Sequence, residues 1–250
     1  MGEPIAVFAA TPAYCEQARA LAERVAGVLV EPGDIPAEAL ALRIDDSGLC
    51  LKADGMELRA DFSTMLPRLQ QGALSRELLV RAARVRGVDH PRAVDATAGL
   101  GEDSIMLAAA GFEVAMFERD PVIAALLDDA LRRAAEDFRL SGIVGRMHLV
   151  EGDSVAALRA LDYAPDVVYL DPMFPGRTKS AAVKKKFQLL HHLERPCADE
   201  EELLEAALAA CPRKIVIKRP VKGPHLAGVK PSHSLSGKAV RYDCIVPPRS

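Results

Sequence analysis

At 250 residues, half of them hydrophobic, the chain can bury a full core and can hold one large domain with a small one beside it. Its longest apolar stretches fall well short of the roughly 18 residues that cross a bilayer, and no charged-then-apolar leader precedes them, which argues against a membrane protein and for a cytoplasmic one. The net charge of −3 argues against indiscriminate polyanion binding, yet residues 1–170 hold 17 basic and 27 acidic side chains while residues 171–250 hold 15 basic and 8 acidic. A basic C-terminal third is the pattern of a localised phosphate-contacting face, or of an unevenly charged solvated surface. Cys15, Cys50, Cys197, Cys211 and Cys244 are odd in number and scattered without a C-x-x-C, so neither a disulfide framework nor a metal site is expected.

Residues 5–10 predict a strand. Residues 14–25 predict a helix, with Ala18, Leu21, Ala22 and Val25 at helical spacing and Gly27 as its stop. Three alternating runs follow, 39–44, 49–53 and 56–62, and Asp54-Gly55 between the last two is a hairpin signal. Residues 1–65 thus read as a small α+β unit for packing and substrate contact, ahead of a larger domain over 66–250. Residues 66–88 predict a loop and a helix, with Ser75 as N-cap. Residues 92–95 predict a strand, 104–110 a helix stopped by Gly111, and 113–119 a second strand. Asp120-Pro121 opens a helix with a cap and a proline in the right order. Its core stripe is Val122, Ile123, Leu126, Leu127, Ala130, Leu131, Ala134 and Phe138, and Asp128, Asp129, Arg132, Arg133, Glu136 and Asp137 form its wet side. Strands are predicted at 147–150, 166–170 and 213–220, a helix from 199 to 210, and a last antiparallel strand over 237–246. The alternation from 92 to 220 predicts a doubly wound α/β sheet.

The chemistry gathers at the strand ends. Residues 95–101, Asp-Ala-Thr-Ala-Gly-Leu-Gly, form a tight turn where the backbone can approach a ligand without a Cβ in the way, although such a turn also serves as a plain connection. Glu118 lies 17 residues beyond Gly101, near the offset at which such folds place a carboxylate on ribose hydroxyls. The third strand runs into Asp153-Ser154, suited to an adenine edge, and the fourth into Asp171-Pro172-Met173-Phe174-Pro175. Glu102 and Asp103 stand where a dinucleotide fold puts its pyrophosphate. Two carboxylates there repel an anion and tolerate a cation, which favours S-adenosylmethionine over NAD, although they also suit a helix N-terminus. The cofactor-binding candidates are Asp95, Gly99, Gly101, Glu102, Asp103, Glu118, Arg119, Asp153, Ser154 and Asp171.

An exocyclic base amine is a poor nucleophile, because its lone pair is delocalised into the ring. A carboxylate and a carbonyl that accept its two N–H bonds favour the pyramidal form, and Asp171 with the Pro172 carbonyl is such a pair. Phe174 offers a face on which the base stacks. Arg177, Lys179, Lys184, Lys185 and Lys186 lie in a stretch without acids and are the RNA-binding candidates.

Asp-Ala-Thr-Ala-Gly-Leu-Gly at 95–101, the segment 118–129, Val-Val-Tyr-Leu-Asp-Pro-Met-Phe-Pro at 167–175 and Lys-Ser-Ala-Ala-Val-Lys-Lys at 179–185 together resemble the ribosomal RNA small subunit methyltransferase J family. The resemblance runs from about residue 60 to the C-terminus and is weaker before it. It implies a class I methyltransferase fold, Rossmann-like, and transfer of a methyl from S-adenosylmethionine to N2 of a guanosine in 16S rRNA of the small ribosomal subunit. It places cofactor contacts on Glu102, Asp103, Glu118, Arg119, Asp153, Ser154 and Asp171. The chain departs from the family pattern at Glu102, where members carry a basic residue, and at 71–77, where they carry a glycine-rich segment.

Rival readings are the same chemistry on adenine N6 in nucleic acid or on a protein glutamine, an NAD-linked oxidoreductase, and a non-catalytic RNA-binding module. No metal and no membrane partner is expected.

Overall fold

The structure, a computed structural model, describes residues 4–35, 39–172 and 200–248. Among these residues the N-terminal part builds a five-stranded sheet from β1 (Ala6–Ala9), β2 (Val28–Leu29), β3 (Ala41–Asp45), β4 (Gly48–Ala53) and β5 (Met56–Leu58), in the order β2-β1-β3-β4-β5. Helix α1 (Cys15–Arg24) buries Ala18, Leu21 and Ala22. The meander β3-β4-β5 is antiparallel as expected, and Asp54 and Gly55 both take positive φ (52° and 70°) in its second turn. That is the mirror-image turn whose twist suits a hairpin. β2 escapes the sequence reading because it is two exposed residues long.

Three short helices follow, α2 (Leu66–Leu69), α3 (Gln71–Leu74) and α4 (Leu78–Ala83). The expected cap at Ser75 is corrected here. Ser75 ends α3, and Glu77 precedes α4 without a side-chain capping bond. The Glu77 carboxylate is instead held by Arg68 at 2.8 and 2.9 Å.

The larger sheet contains β6 (Arg92–Asp95), β7 (Glu113–Glu118), β8 (Met147–Glu151), β9 (Val167–Leu170), β10 (Lys214–Pro220), β11 (His233–Ser236) and β12 (Val240–Ile245), ordered β11-β12-β10-β9-β6-β7-β8. β8, β7, β6, β9 and β10 are parallel, and β12 is antiparallel to both β10 and β11. Among the described residues the helices between them are α5 (Glu102–Ala109), α6 (Pro121–Glu136), α7 (Ser141–Val144), α8 (Ser154–Arg159) and α9 (Glu200–Ala209). This is the doubly wound sheet that the alternation predicted, with α7, α8 and β11 added.

Strand alternation sorts the core into two layers. Ala93, Val114, Met116, Val167, Tyr169 and Val216 face one side, where α4, α5, α6 and the N-terminal sheet pack. Val94, Val168, Leu170, Ile215 and Ile217 face the other, with Leu158 of α8 and Leu203, Leu204 and Ala207 of α9. The first layer runs without a break into Val7, Leu42 and Leu51 of the N-terminal sheet.

Two assignments on α6 change. Asp129, expected on the wet side, is 5% exposed. Its Oδ2 accepts from Leu49 N (3.0 Å) and from Arg133 Nε (2.8 Å), and Arg133 also donates to Ala60 O. Phe138, expected in the core stripe, is 89% exposed. The helix stops at Glu136, because Asp137 turns to extended backbone (φ −86°, ψ 114°), and Phe138 falls outside the helical period.

Candidate active site

The turn after β6 is stitched to both neighbouring strands. Ala96 N donates to Tyr169 O of β9 at 3.1 Å, and Ala98 N donates to Phe117 O of β7 at 3.2 Å. Asp95, 1% exposed, accepts from Thr97 N (3.0 Å) and from Ser104 Oγ (2.5 Å). Burial pushes its carboxyl up to about 7, and the nearby Asp103 and Asp171 add to the push. Its bonds tie the turn to the first turn of α5, so its place is beneath the site.

The two glycines part company. Gly99 (φ 53°) has open space where a Cβ would stand, as a close approach to a ligand requires. Gly101 (φ 75°) does not: a Cβ there would lie 2.7 Å from Leu127 Cδ1 and 3.1 Å from the Phe62 ring. Gly101 is needed for packing α5 against α6 and the N-terminal unit.

Glu118, at the end of β7, is held from two sides. Its Oε2 accepts from Gly99 N (3.0 Å) and its Oε1 from Asp120 N (2.9 Å). Burial raises its pKa, and these backbone donors work against the rise. Each carboxylate oxygen has a second lone pair, so the group can still accept from a diol. Arg119 and Glu102 are exposed. Asp153, at the end of β8, is exposed and caps α8 through Ala156 N (3.0 Å), which brings Ser154 into the first turn.

The fourth strand end is the most densely bonded. Asp171 N donates to Thr97 Oγ1 at 2.7 Å, and Asp171 Oδ2 lies 2.9 Å from Lys218 Nζ. Lys218 also sits 2.5 Å from Asp103 Oδ2, which accepts from Tyr169 Oη at 2.5 Å as well. Asp103 is therefore a tied carboxylate, and of the acidic pair expected to tolerate a cation only Glu102 faces outward. Burial alone would raise the Asp103 pKa, but the Lys218 ammonium outweighs it and holds the carboxyl below its usual range. Asp103 and Asp171 thus share the Lys218 ammonium. Pro172, the next residue, is buried. Phe174, Arg177, Lys179, Lys184, Lys185 and Lys186 lie outside the described residues.

The structure thus gathers Asp95, Gly99, Asp103, Glu118 and Asp171 around one sheet edge, where ends of adjacent parallel strands meet. Thr97, Tyr169 and Lys218 join them and were not singled out from the sequence. The signal for Lys218 was present, since it follows the apolar run Ile215-Val216-Ile217 just as Asp171 follows its own strand. Open space at Gly99, a pinned carboxylate at Glu118 and an exposed Asp153 fit an adenosyl ligand with a cationic centre. No group of three or more His, Cys, Asp or Glu side chains among the described residues could hold a metal ion. None of the described helices is long and apolar enough to cross a membrane. Cys15, Cys50, Cys211 and Cys244 are free thiols.

Comparison with known proteins identifies the family. Residues 34–247 match a family model described as a putative SAM-dependent methyltransferase. A ribosomal RNA small subunit methyltransferase J from Thioalkalivibrio sulfidiphilus is 44% identical over 241 residues, 92% of this chain and 94% of that one. The protein of the same name from Pseudomonas fluorescens is 42% identical, over 96% of this chain and 93% of its own. The crystal structure of a SAM-dependent methyltransferase from Neisseria gonorrhoeae is 31% identical and superposes with a TM-score of 0.76, covering 97% of this chain and 96% of that one. A Rossmann-like class I methyltransferase that uses S-adenosylmethionine, the chain belongs to the ribosomal RNA small subunit methyltransferase J family.

Proposed function

We propose that this protein transfers a methyl group from S-adenosylmethionine to the exocyclic N2 amine of a guanosine in 16S rRNA, acting on the small ribosomal subunit or its RNA in the cytoplasm. The observation that carries the reading is Asp171 at the C-terminal end of β9, its amide held by Thr97 and its carboxylate by Lys218, on the same sheet edge as Gly99 and Glu118. The names of the relatives point the same way.

In this reading Glu118 takes the ribose hydroxyls, Gly99 gives room to the methionine part, and Asp153 with Ser154 meets the adenine edge. Arg119 and Glu102 border the same ligand. The bound cofactor supplies an electrophilic methyl on a sulfonium. Asp171 and the Pro172 carbonyl accept the two N–H bonds of the amine and aim its lone pair, and positioning contributes most of the rate. Phe174 stacks on the base, and Arg177, Lys179, Lys184, Lys185 and Lys186 meet phosphates. We further assign residues 1–65 to a small α+β unit and residues 66–250 to the methyltransferase domain.

The test is transfer of a labelled methyl to separate pools of 16S rRNA, DNA and protein. Label in the rRNA pool, mapped to guanine N2, is expected; label in DNA or protein alone would overturn the reading. Asp171→Ala is expected to lower transfer at least a thousandfold while S-adenosylhomocysteine still binds, and retained turnover would remove Asp171 from its role.

A further inference from the structure

Lys218 lies in the interior of the sheet, with β9 on one side of its strand and β12 on the other. Ile217 is paired with Leu170, so Lys218 stands level with Asp171, and across the other ladder Lys218 is paired with Tyr242. Alternation puts Tyr169, Asp171, Lys218 and Tyr242 on one face, the face that α5 covers with Asp103. The Lys218 side chain is 17% exposed, and its ammonium bridges Asp103 (2.5 Å) and Asp171 (2.9 Å).

Stability alone does not account for a lysine here. An ion triad this deep gives up most of its Coulomb gain to desolvation, and three apolar side chains of similar volume in place of Asp103, Asp171 and Lys218 would pack as well. We infer that Lys218 is a positioning residue for methyl transfer: by compensating Asp103 it keeps the Asp171 carboxylate ionised and aimed at the acceptor amine. The inference rests on the function proposed above, since it assigns Lys218 a task in that reaction.

The charge pattern shows why the compensation matters. Among the described residues, the groups that face Lys218 are Asp103 from α5, Tyr169 and Asp171 from β9 and Tyr242 from β12, with Asp95 beneath and Arg68 of α2 near Asp103. Burial by itself would lower the lysine's pKa, but Asp103 and Asp171 outweigh it and keep the ammonium charged. Burial raises both tyrosines, so neither supplies a charge. With the ammonium gone, Asp103 and Asp171 would be two like charges in one partly dry site, and one of them would take up a proton. A protonated Asp171 is a donor at one oxygen and no longer draws both amine hydrogens. Lys218 accepts nothing from the amine and moves no proton. One Asp171 oxygen accepts from it and has a second lone pair for the substrate.

The experiment measures kcat against pH on 16S rRNA at saturating cofactor, for the native chain, Lys218→Met and the double variant Asp103→Asn/Lys218→Met, with thermal melts as a check on folding. Lys218→Met is expected to lower kcat at least a hundredfold at pH 7 and to move the acid limb of the profile upward by a pH unit or more. The double variant, which removes the opposing carboxylate too, is expected to bring that limb back. A role confined to packing would leave the limb where it stands in the native protein. An unmoved limb in Lys218→Met, or a double variant with the same limb as the single one, overturns the inference. Should Lys218→Met fail to fold, Asp103→Asn alone decides. With Lys218 left wholly to Asp171 the limb moves to lower pH, and an unmoved limb counts against the role. A native chain without activity on rRNA would overturn the proposed function, whereas an active native chain with unshifted variants overturns only the assignment of Lys218.

Discussion

Glu118 keeps little latitude once two backbone donors hold it. One oxygen faces the N–H of Gly99 and the other that of Asp120, so an amide in its place would set its NH2 against a donor on one side or the other. Glu118→Gln is therefore not a conservative change. It should cost about 1–3 kcal/mol, the penalty for a buried donor left without an acceptor, and weaken S-adenosylhomocysteine binding at least tenfold by calorimetry. Unchanged affinity would take Glu118 out of the cofactor site. Asp95 makes a prediction in pH. Its carboxyl is raised by burial from 3.8 to about 7, so the folded chain holds a proton that the unfolded chain releases across that window. The stability it contributes is complete below the lower value and is lost as pH rises through the upper one. Asp95→Asn should remove this slope, gaining on the native protein in melts from pH 5 to pH 8. A constant offset across that range would contradict the assignment. Glu118 and Asp171 were legible because strand ends in an open parallel sheet are where polar residues have work to do. Lys218 also follows an apolar run, but its contact with Asp171, like that of Thr97, depends on β10 lying beside β9 and on the turn after β6 folding back over Asp171. Neither neighbour is local in sequence.

Among the elements, α6 was the most readable. Asp120 accepts from Val122 N (2.9 Å) and Ile123 N (3.1 Å), and Pro121 occupies the first turn as its sequence announced. Asp120→Ala should destabilise the protein by about 1 kcal/mol, the usual worth of such a cap. Chemical denaturation will check it, and a change under a few tenths would mean that the cap is replaced by another group. The end of the same helix was misjudged because an apolar residue at the right spacing says nothing about whether the backbone is still helical when it arrives. Phe138 comes two residues after the last helical one. The segment from Leu66 to Ala83 failed for a different reason. It is three short helices that lack side-chain caps and are tied by tertiary contacts such as Arg68 with Glu77. Short isolated helices draw little on intrinsic propensity, so their boundaries are not written in periodicity.

For the whole molecule, the seam between the two sheets is the informative place. Gly48 lies so close to Asp129 and Arg133 that a Cβ would come within 2.6 Å of both side chains. Leu49 N, Asp129 and Arg133 form a polar link across a continuous apolar layer. Asp129→Ala strands a backbone donor and a guanidinium together, at a cost of roughly 2–4 kcal/mol. Because the layer is shared, melts followed by circular dichroism and by tyrosine fluorescence should show one transition, shifted down as a whole. Two separated transitions would mean that the sheets unfold independently. The sequence carried the α+β character of the first sheet and the doubly wound character of the second, but the seam depends on an aspartate whose helical position reads as solvent-facing.

The paired edges of β10 have one more effect. A strand laddered to β9 from Lys214 to Ile217 and to β12 from Ile215 to Pro220 cannot slip by a residue without exchanging its two covered faces, which would carry Lys218 to the side opposite Asp103. The gap between neighbouring strands, about 4.8 Å in any sheet, then serves as a gauge block that sets the span between ammonium and carboxylate. Surface sequence can drift widely around such a standard while the spacing that governs the chemistry stays constant.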